Sequence, residues 1–303
     1  MSFIATLWDY WGSPFIDFNF MRRALTGCIA LSLGSSTMGV LLLQRRMSLM
    51  GDAMSHAILP GAAIGYLFFG LSLPAMTIGG TIAGLMVAGL AAIISRYTQM
   101  KEDASFASFY LISLATGILI ISLRGTTVDL LSVLFGTVLA LDNATLLLAA
   151  GIATISLLLL AIFYRPIIIQ SLDPHFLQPY WGWNILAYAV FLLLMVLNLV
   201  GGFHTLGTLM AVAFMILPAA AARFWAQTLH IQMLLACLWA ALGSYIGLLL
   251  SYHYSAAASP AIVLTLGVIY LLSMLFGKNG GIFSKYQQTN SHQENATYAN
   301  STQ

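Results

Sequence analysis

Charge is what this chain has least of: 7% of its 303 residues are Asp, Glu, Lys or Arg, against about 25% in an average soluble domain. With 60% hydrophobic residues beside it, that scarcity excludes an ordinary water-soluble domain and marks a polytopic membrane protein. The formal net charge of +2 and the lack of any basic stretch interleaved with aromatics exclude nucleic acid as a partner. Only two cysteines occur, Cys28 and Cys237. They lie in separate apolar segments, forming neither a C-x-x-C pair nor a disulfide framework, and read as small core residues that leave the redox compartment open. No H-E-x-x-H is present, which disfavours an intramembrane zinc enzyme. No G-x-x-x-x-G-K-[ST] phosphate loop is present either, Gly277-Lys278-Asn279 being a near miss. The N-terminus carries Asp9 and Asp17 and no positive region before a short apolar core, so a cleaved signal peptide is not expected.

What is there is a succession of apolar runs of about 20 residues. They fall near Ala24–Leu43, Ala53–Gly70, Pro74–Ile94, Ala104–Leu123, Asn143–Tyr164, Asn184–Val200, Leu206–Phe224, Ile231–Ser251 and Pro260–Phe276. The expected fold is all-α, a membrane bundle of about nine transmembrane helices. Val128–Leu141 is too short to cross comfortably and reads as a half-helix packed inside the protein. If it does not cross, Arg45 and Arg46, Arg96 and Lys101, Arg165, Arg223, Lys278 and Lys285 share one side. By the positive-inside rule that side is cytoplasmic, the N-terminus is outside and the C-terminus inside. Arg124 and the pair Arg22 and Arg23 run against that rule.

Residues 1–20, with Trp8, Trp11, Phe15 and Phe18, read as an amphipathic N-terminal segment, 21–277 as the membrane domain and 278–303 as a polar, disordered tail. Small residues crowd two spans, at Gly61, Ala62, Ala63 and Gly65 and at Gly79, Gly80, Gly84 and Gly89, which predicts close helix packing. The Gly80 to Gly84 spacing matches G-x-x-x-G but reads as ordinary packing rather than a dimer seam.

Against this background the sequence Gly51-Asp-Ala-Met-Ser-His56 stands out. At i and i+4, Asp52 and His56 share a helix face, where they can hold a divalent ion or relay a proton. An ionised Asp inside a bilayer costs roughly 2.5–3.5 kcal/mol on insertion scales, so a functional pathway is the default reading and a structural pair locking two helices the competing one. Pro60 has no N–H, which leaves the carbonyl of His56 without its helical donor. Ile58-Leu-Pro60-Gly-Ala-Ala63 is echoed by Ile216-Leu-Pro218-Ala-Ala-Ala221. Spans of opposite direction carry the two, as in inverted halves of a transporter or by coincidence in an Ala-rich and Leu-rich chain. Asp129, Asp142 and His204 are candidate access or gate groups near the outer face, as is His253, while His175, His230 and His292 read as solvent-facing.

These residues carry a family resemblance. Pro14-Phe15, Phe20-Met-Arg-Arg-Ala24 and Arg45-Arg-Met-Ser-Leu-Met-Gly51-Asp-Ala-Met-Ser-His-Ala-Ile-Leu-Pro-Gly61 resemble the permease family of zinc, manganese and iron ABC importers. Lys101-Glu-Asp103, Leu134-Phe-Gly136, Leu172-Asp-Pro174, Leu206-Gly-Thr-Leu-Met210 and Ile216-Leu-Pro-Ala-Ala220 follow in that family's order. Pro179-Tyr-Trp-Gly-Trp183 and His204 depart from it.

The resemblance implies a type II importer architecture in the cell (inner) membrane. Its parts are a second permease chain, cytoplasmic ATP-binding subunits, an extracytoplasmic metal-binding protein that delivers the ion, and the lipid bilayer. It implies no permanently bound cofactor and no enzymatic activity of the chain itself, the cargo being a divalent transition metal, zinc or manganese ahead of iron. Asp52 and His56 become its transport path. Residues 165–183 become the cytoplasmic coupling loop, with Asp173 and Pro174 as a helix-start signal that contacts the ATPase. A proton-coupled secondary metal transporter, with no ATPase, is the alternative.

Overall fold

The computed structural model describes residues 11–70, 72–98, 102–123, 138–172 and 181–283. Among these there are ten α-helices and no strand. A short α1 (Ser13–Asp17) precedes α2 (Asn19–Gln44), α3 (Ser48–Phe69), α4 (Leu73–Tyr97) and α5 (Glu102–Leu123). After a 3-10 turn at Val138–Ala140 come α6 (Asn143–Leu172), α7 (Trp181–Leu206), α8 (Thr208–Arg223), α9 (Leu229–Tyr254) and α10 (Ala258–Phe276).

Seven helices are long and apolar enough to cross a membrane, namely α2, α4, α5, α6, α7, α9 and α10. The two others of substantial length are α3, whose first half holds Asp52, Ser55 and His56, and α8, which has 16 residues. Most of the expected half-helix, 128–137, lies outside the described residues, and its end is the 3-10 turn with Val138 buried. Asp129 lies outside them too.

Helix limits correct the sequence reading at two places. The expected coupling loop begins at Arg165, yet α6 continues through Pro166 to Leu172, and α7 already starts at Trp181. A proline deletes one helical N–H, and the apolar run Ile167-Ile-Ile169 that follows keeps the turn in place, Ile167 being fully buried. Residues 173–180, including Asp173, Pro174 and His175, lie outside the described residues. Residues 278–283, expected in the tail, are described and partly held, since Asn279 N donates to Phe224 O at 2.8 Å and Gln227 Nε2 donates to Asn279 Oδ1 at 3.3 Å, while 284–303 lie outside the described residues.

At the N-terminus, Trp11 and Phe15 stack on Tyr245 of α9, and Tyr245 Oη donates to Trp11 O at 2.7 Å. The aromatic segment is thus partly docked on protein, with exposed Ile16, Phe18 and Phe20 beside it.

Buried side chains form two clusters. The larger joins α2 to α9 around Met50, Met54, Phe191 and Met195. The smaller joins α2, α8, α9 and α10 around Leu31, Phe214 and Leu266. Glycines set the close crossings: a Cβ on Gly80 would meet Ile58 Cγ2 at 2.8 Å, and one on Gly84 would meet Val196 Cγ1 at 2.8 Å. The Gly80/Gly84 seam therefore packs on α3 and α7 of the same chain, as ordinary packing requires. Deep in the bundle, Asn198 Nδ2 donates to Ser156 Oγ and to Leu194 O, both at 2.8 Å, satisfying a buried amide between α6 and α7.

Candidate metal path

The helix that carries Asp52 starts abruptly. Arg46 has φ +58°, Met47 N donates to Leu42 O at 3.1 Å and Arg46 N donates to Leu43 O at 3.2 Å. That pattern is a Schellman motif with a left-handed residue just beyond the helix end. It closes α2 and launches α3 with no slack between them. Asp52 follows about 6 Å, and His56 about 12 Å, along α3 from Ser48 at 1.5 Å per residue. Asp52 is therefore nearer the basic end of the helix than its middle.

Asp52 Oδ1 and His56 Nε2 are 3.9 Å apart, the Asp side chain 54% exposed and the His 19%. That distance is too long for a hydrogen bond. It suits two ligands of one ion, since two bonds of about 2.1 Å span at most about 4.2 Å. His56 Nδ1 is buried with no hydrogen-bond partner, and the ring stacks on Tyr110 of α5 with centroids 6.0 Å apart. Packing rather than hydrogen bonding orients the imidazole.

Leu49, Asp52, His56, Leu59 and Ala63 recur at three- and four-residue steps along the open side of α3, while Met50, Ala53, Met54, Ala57 and Ile58 are buried. The pair thus stands on a face that the described residues leave partly open, Asp52 more than His56. Pro60 turns inward: a Cβ on Gly117 of α5 would stand 2.8 Å from Pro60 Cγ. Ser113 Oγ donates to Ala57 O at 3.3 Å, tying the same two helices one turn earlier. The helix is unbroken at Pro60, as α8 is at Pro218.

The remaining candidates do not converge on this pair. Asp142 caps α6, its Oδ1 accepting Thr145 N at 2.8 Å, and the hydrogen bonds from Thr145 hold its carboxyl below the usual carboxylate range. His204, in the last turn of α7, has Nε2 3.1 Å from Thr77 Oγ1 near the start of α4 and contacts Phe203 edge-on. His230 is exposed and pairs with Tyr164 Oη at 2.6 Å from Nδ1, while His253 lies edge-on to Tyr252. Among the described residues no group of three or more His, Cys, Asp or Glu side chains could hold a metal ion. Asp52 and His56 offer two donors side by side, with no third such side chain grouped with them among the described residues.

Sequence reasoning used Arg45 as a topological charge and as the start of the family motif, and missed its contacts. Its Nε donates to Ser171 Oγ at 2.9 Å and its Nη2 to Gln170 Oε1, and its Cζ lies 3.8 Å from the Phe191 ring centroid. The only hint in the sequence was the doublet Arg45-Arg46 beside the Asp52 block.

Comparison with known proteins agrees with this architecture. The chain is 31% identical over 272 residues to the manganese transport system membrane protein MntC of Halalkalibacterium halodurans, covering 89% of this chain and 92% of that one. It is 34% identical over 267 residues to the manganese import system permease protein ScaB of Streptococcus parasanguinis, covering 86% and 93%. Among solved structures, PsaBC from Streptococcus pneumoniae in complex with Fab is similar at a TM-score of 0.77 and 31% identity, over 90% of this chain and 99% of the other. The sequence pattern of the ABC 3 transport family matches residues 17–277, and the protein belongs to that family of metal ABC permeases.

Proposed function

We propose that this chain is the permease subunit of an ATP-driven importer in the cell membrane, carrying a divalent transition metal along Asp52 and His56, with manganese the favoured ion. The observation that carries the reading is the 3.9 Å gap between Asp52 Oδ1 and His56 Nε2 on a partly open helix face. One carboxylate and one imidazole hold an ion without burying it, which suits a cargo that must be released. The manganese names of MntC and ScaB support that metal, and a hard carboxylate beside one imidazole accepts it. The same donors also take zinc and iron.

A second permease chain, facing the stripe from Leu49 to Ala63, completes the path and contributes its own ligands. Cytoplasmic ATP-binding subunits dock near Asp173 and Pro174, and an extracytoplasmic protein delivers the ion. Counting α3 and α8 as spans gives nine crossings. The basic end then faces the cytoplasm.

Two experiments test these parts. A membrane-impermeant thiol reagent applied to intact cells is expected to label Ser2→Cys and to spare Ser291→Cys; equal labelling means that the crossings are miscounted. Cysteines placed along Ser171–Gln178 are expected to crosslink to a separately encoded ATPase in the purified complex. Metal uptake with neither that subunit nor ATP would return the protein to the proton-coupled secondary class. The metal itself is identified by the growth defect of a deletion strain: manganese alone rescues it if the assignment is right, and zinc or iron alone if it is not.

A further inference from the structure

Arg45, partly buried where α2 ends, has work that topology does not explain. Arg45 is the C-cap of α2, and its guanidinium is held by four side chains of two other helices. Ser171 and Gln170, in the last turn of α6, accept its hydrogen bonds. Phe191 of α7 lies under the cation at 3.8 Å and Tyr188 at 5.7 Å. All four are ordered by the bundle, since Gln170 and Tyr188 are buried and Phe191 is fully enclosed.

Guanidinium is suited to this place, being planar, able to stack on a ring and to fork between two acceptors at once. It also stands at the C-terminal ends of α2 and α6, where the helix dipoles favour a cation. Burial pushes it down to about 10, opposed by Tyr188 and Glu102, so it keeps its charge at neutral pH. Holding a largely desolvated charge on two neutral side-chain acceptors, with Glu102 opposing the burial only through space, is expensive, and a leucine would fill the space at less cost.

The arrangement joins two points that an importer has to connect. On one side lie Gln170 and Ser171, at the end of α6 directly before residues 173–180. On the other, the Schellman turn leaves Arg45 and the first residue of α3 separated by only Arg46 and Met47. Asp52 sits one turn further on. A shift of the α6 end is therefore passed through a fixed fork and a turn without slack to the helix that bears the metal ligands.

We infer that Arg45 is a positioning residue, which transmits displacement of the cytoplasmic end of α6 to the Asp52/His56 helix and so couples ATP hydrolysis to ion release. This rests on the importer reading above and names how that same site is driven. It predicts uncoupling rather than loss of either partial reaction. In proteoliposomes containing the complete complex with its ATPase and binding protein, manganese uptake and ATP hydrolysis are measured together. Arg45→Met is expected to lower uptake by about tenfold, the scale on which residues in coupling networks act, while hydrolysis continues near the wild-type rate. The ATP consumed per ion rises accordingly. Arg45→Lys keeps the charge but loses the fork and is expected to fall between the two.

The double variant Gln170→Leu, Ser171→Ala removes the acceptors and leaves Arg45 in place, so it serves where Arg45→Met reduces assembly. It too is expected to raise the ATP consumed per ion, with manganese binding unchanged within about twofold. If uptake and hydrolysis fall together in the Lys and the double variant, or if neither changes the ratio, the coupling role is refuted. Wild-type uptake that needs no ATP refutes the importer reading instead, before any variant is made.

Discussion

Asp52→Asn is expected to abolish metal uptake while leaving the amount of protein in the membrane, and its association with the ATPase, near normal. Asn keeps the shape and much of the hydrogen-bonding capacity of Asp and loses only the negative charge. Asp52 is half-exposed, His56 Nε2 lies 3.9 Å from its carboxylate, and its backbone is held independently through Ser55 Oγ, which donates to Asp52 O at 2.8 Å. A structural pair would therefore tolerate the change at a cost of about 1 kcal/mol or less. A metal path would not, because the carboxylate offsets hydration that the ion gives up. His56→Ala is expected to give the same loss. Pro60→Ala is expected to be milder, since it restores an N–H toward the His56 carbonyl and disturbs the contact with Gly117 without removing a ligand. Radioactive manganese uptake in cells, normalised to permease level on a blot, measures all three. Wild-type uptake by Asp52→Asn would make the pair a scaffold.

The helical framework was legible because its signal is the longest in the chain: runs of about 20 apolar residues, broken by Arg45-Arg46, Arg96 or Pro260, place helix ends to within a few residues. Asp52 and His56 were legible for the opposite reason, being polar where polarity is costly. What escaped was set by contacts between distant segments. Arg45 reads as a loop charge until Gln170, Ser171 and Phe191 are brought around it. The apolar run reads as ending at Tyr164, whereas the helix goes on through Pro166 to Leu172, with Ile167 buried in the bundle. Asp142 reads as a candidate access or gate group, and its contact was not legible: its Oδ1 accepts Thr145 N at the start of α6. His204 and Asp52 both suggested a path, yet His204 is engaged by Thr77 between α4 and α7 while Asp52 stands on the partly open side of α3. Side-chain chemistry could nominate these residues, and only geometry could separate them.

The close helix crossing that the small residues of α3 and α4 announced sets the second large effect. Gly61→Ala is expected to destabilise the folded protein by about 1–3 kcal/mol, the range for overpacking a tight core. Helix propensity points the other way, favouring Ala over Gly by about 1 kcal/mol. Sterics outweigh it. A Cβ on Gly61 would stand 2.6 Å from Ala83 Cβ and closer still to the Gly79 carbonyl oxygen, while Gly79 faces the Gly61 backbone in return. Backbone is in contact with backbone, and neither side has a flexible end that can swing away. The α3–α4 pair must separate, and α3 carries Asp52 and His56 with it.

Gly89→Ala is the control. It lies on the same helix as Gly79, nothing stands within 4 Å of the added carbon, and only the propensity gain should register. Thermal unfolding of the detergent-solubilised protein is expected to fall for Gly61→Ala and to hold or rise for Gly89→Ala. A Gly61→Ala protein as stable as wild type would show that the two helices can part without cost, and the position of the helix that carries Asp52 and His56 would then need another anchor than α4.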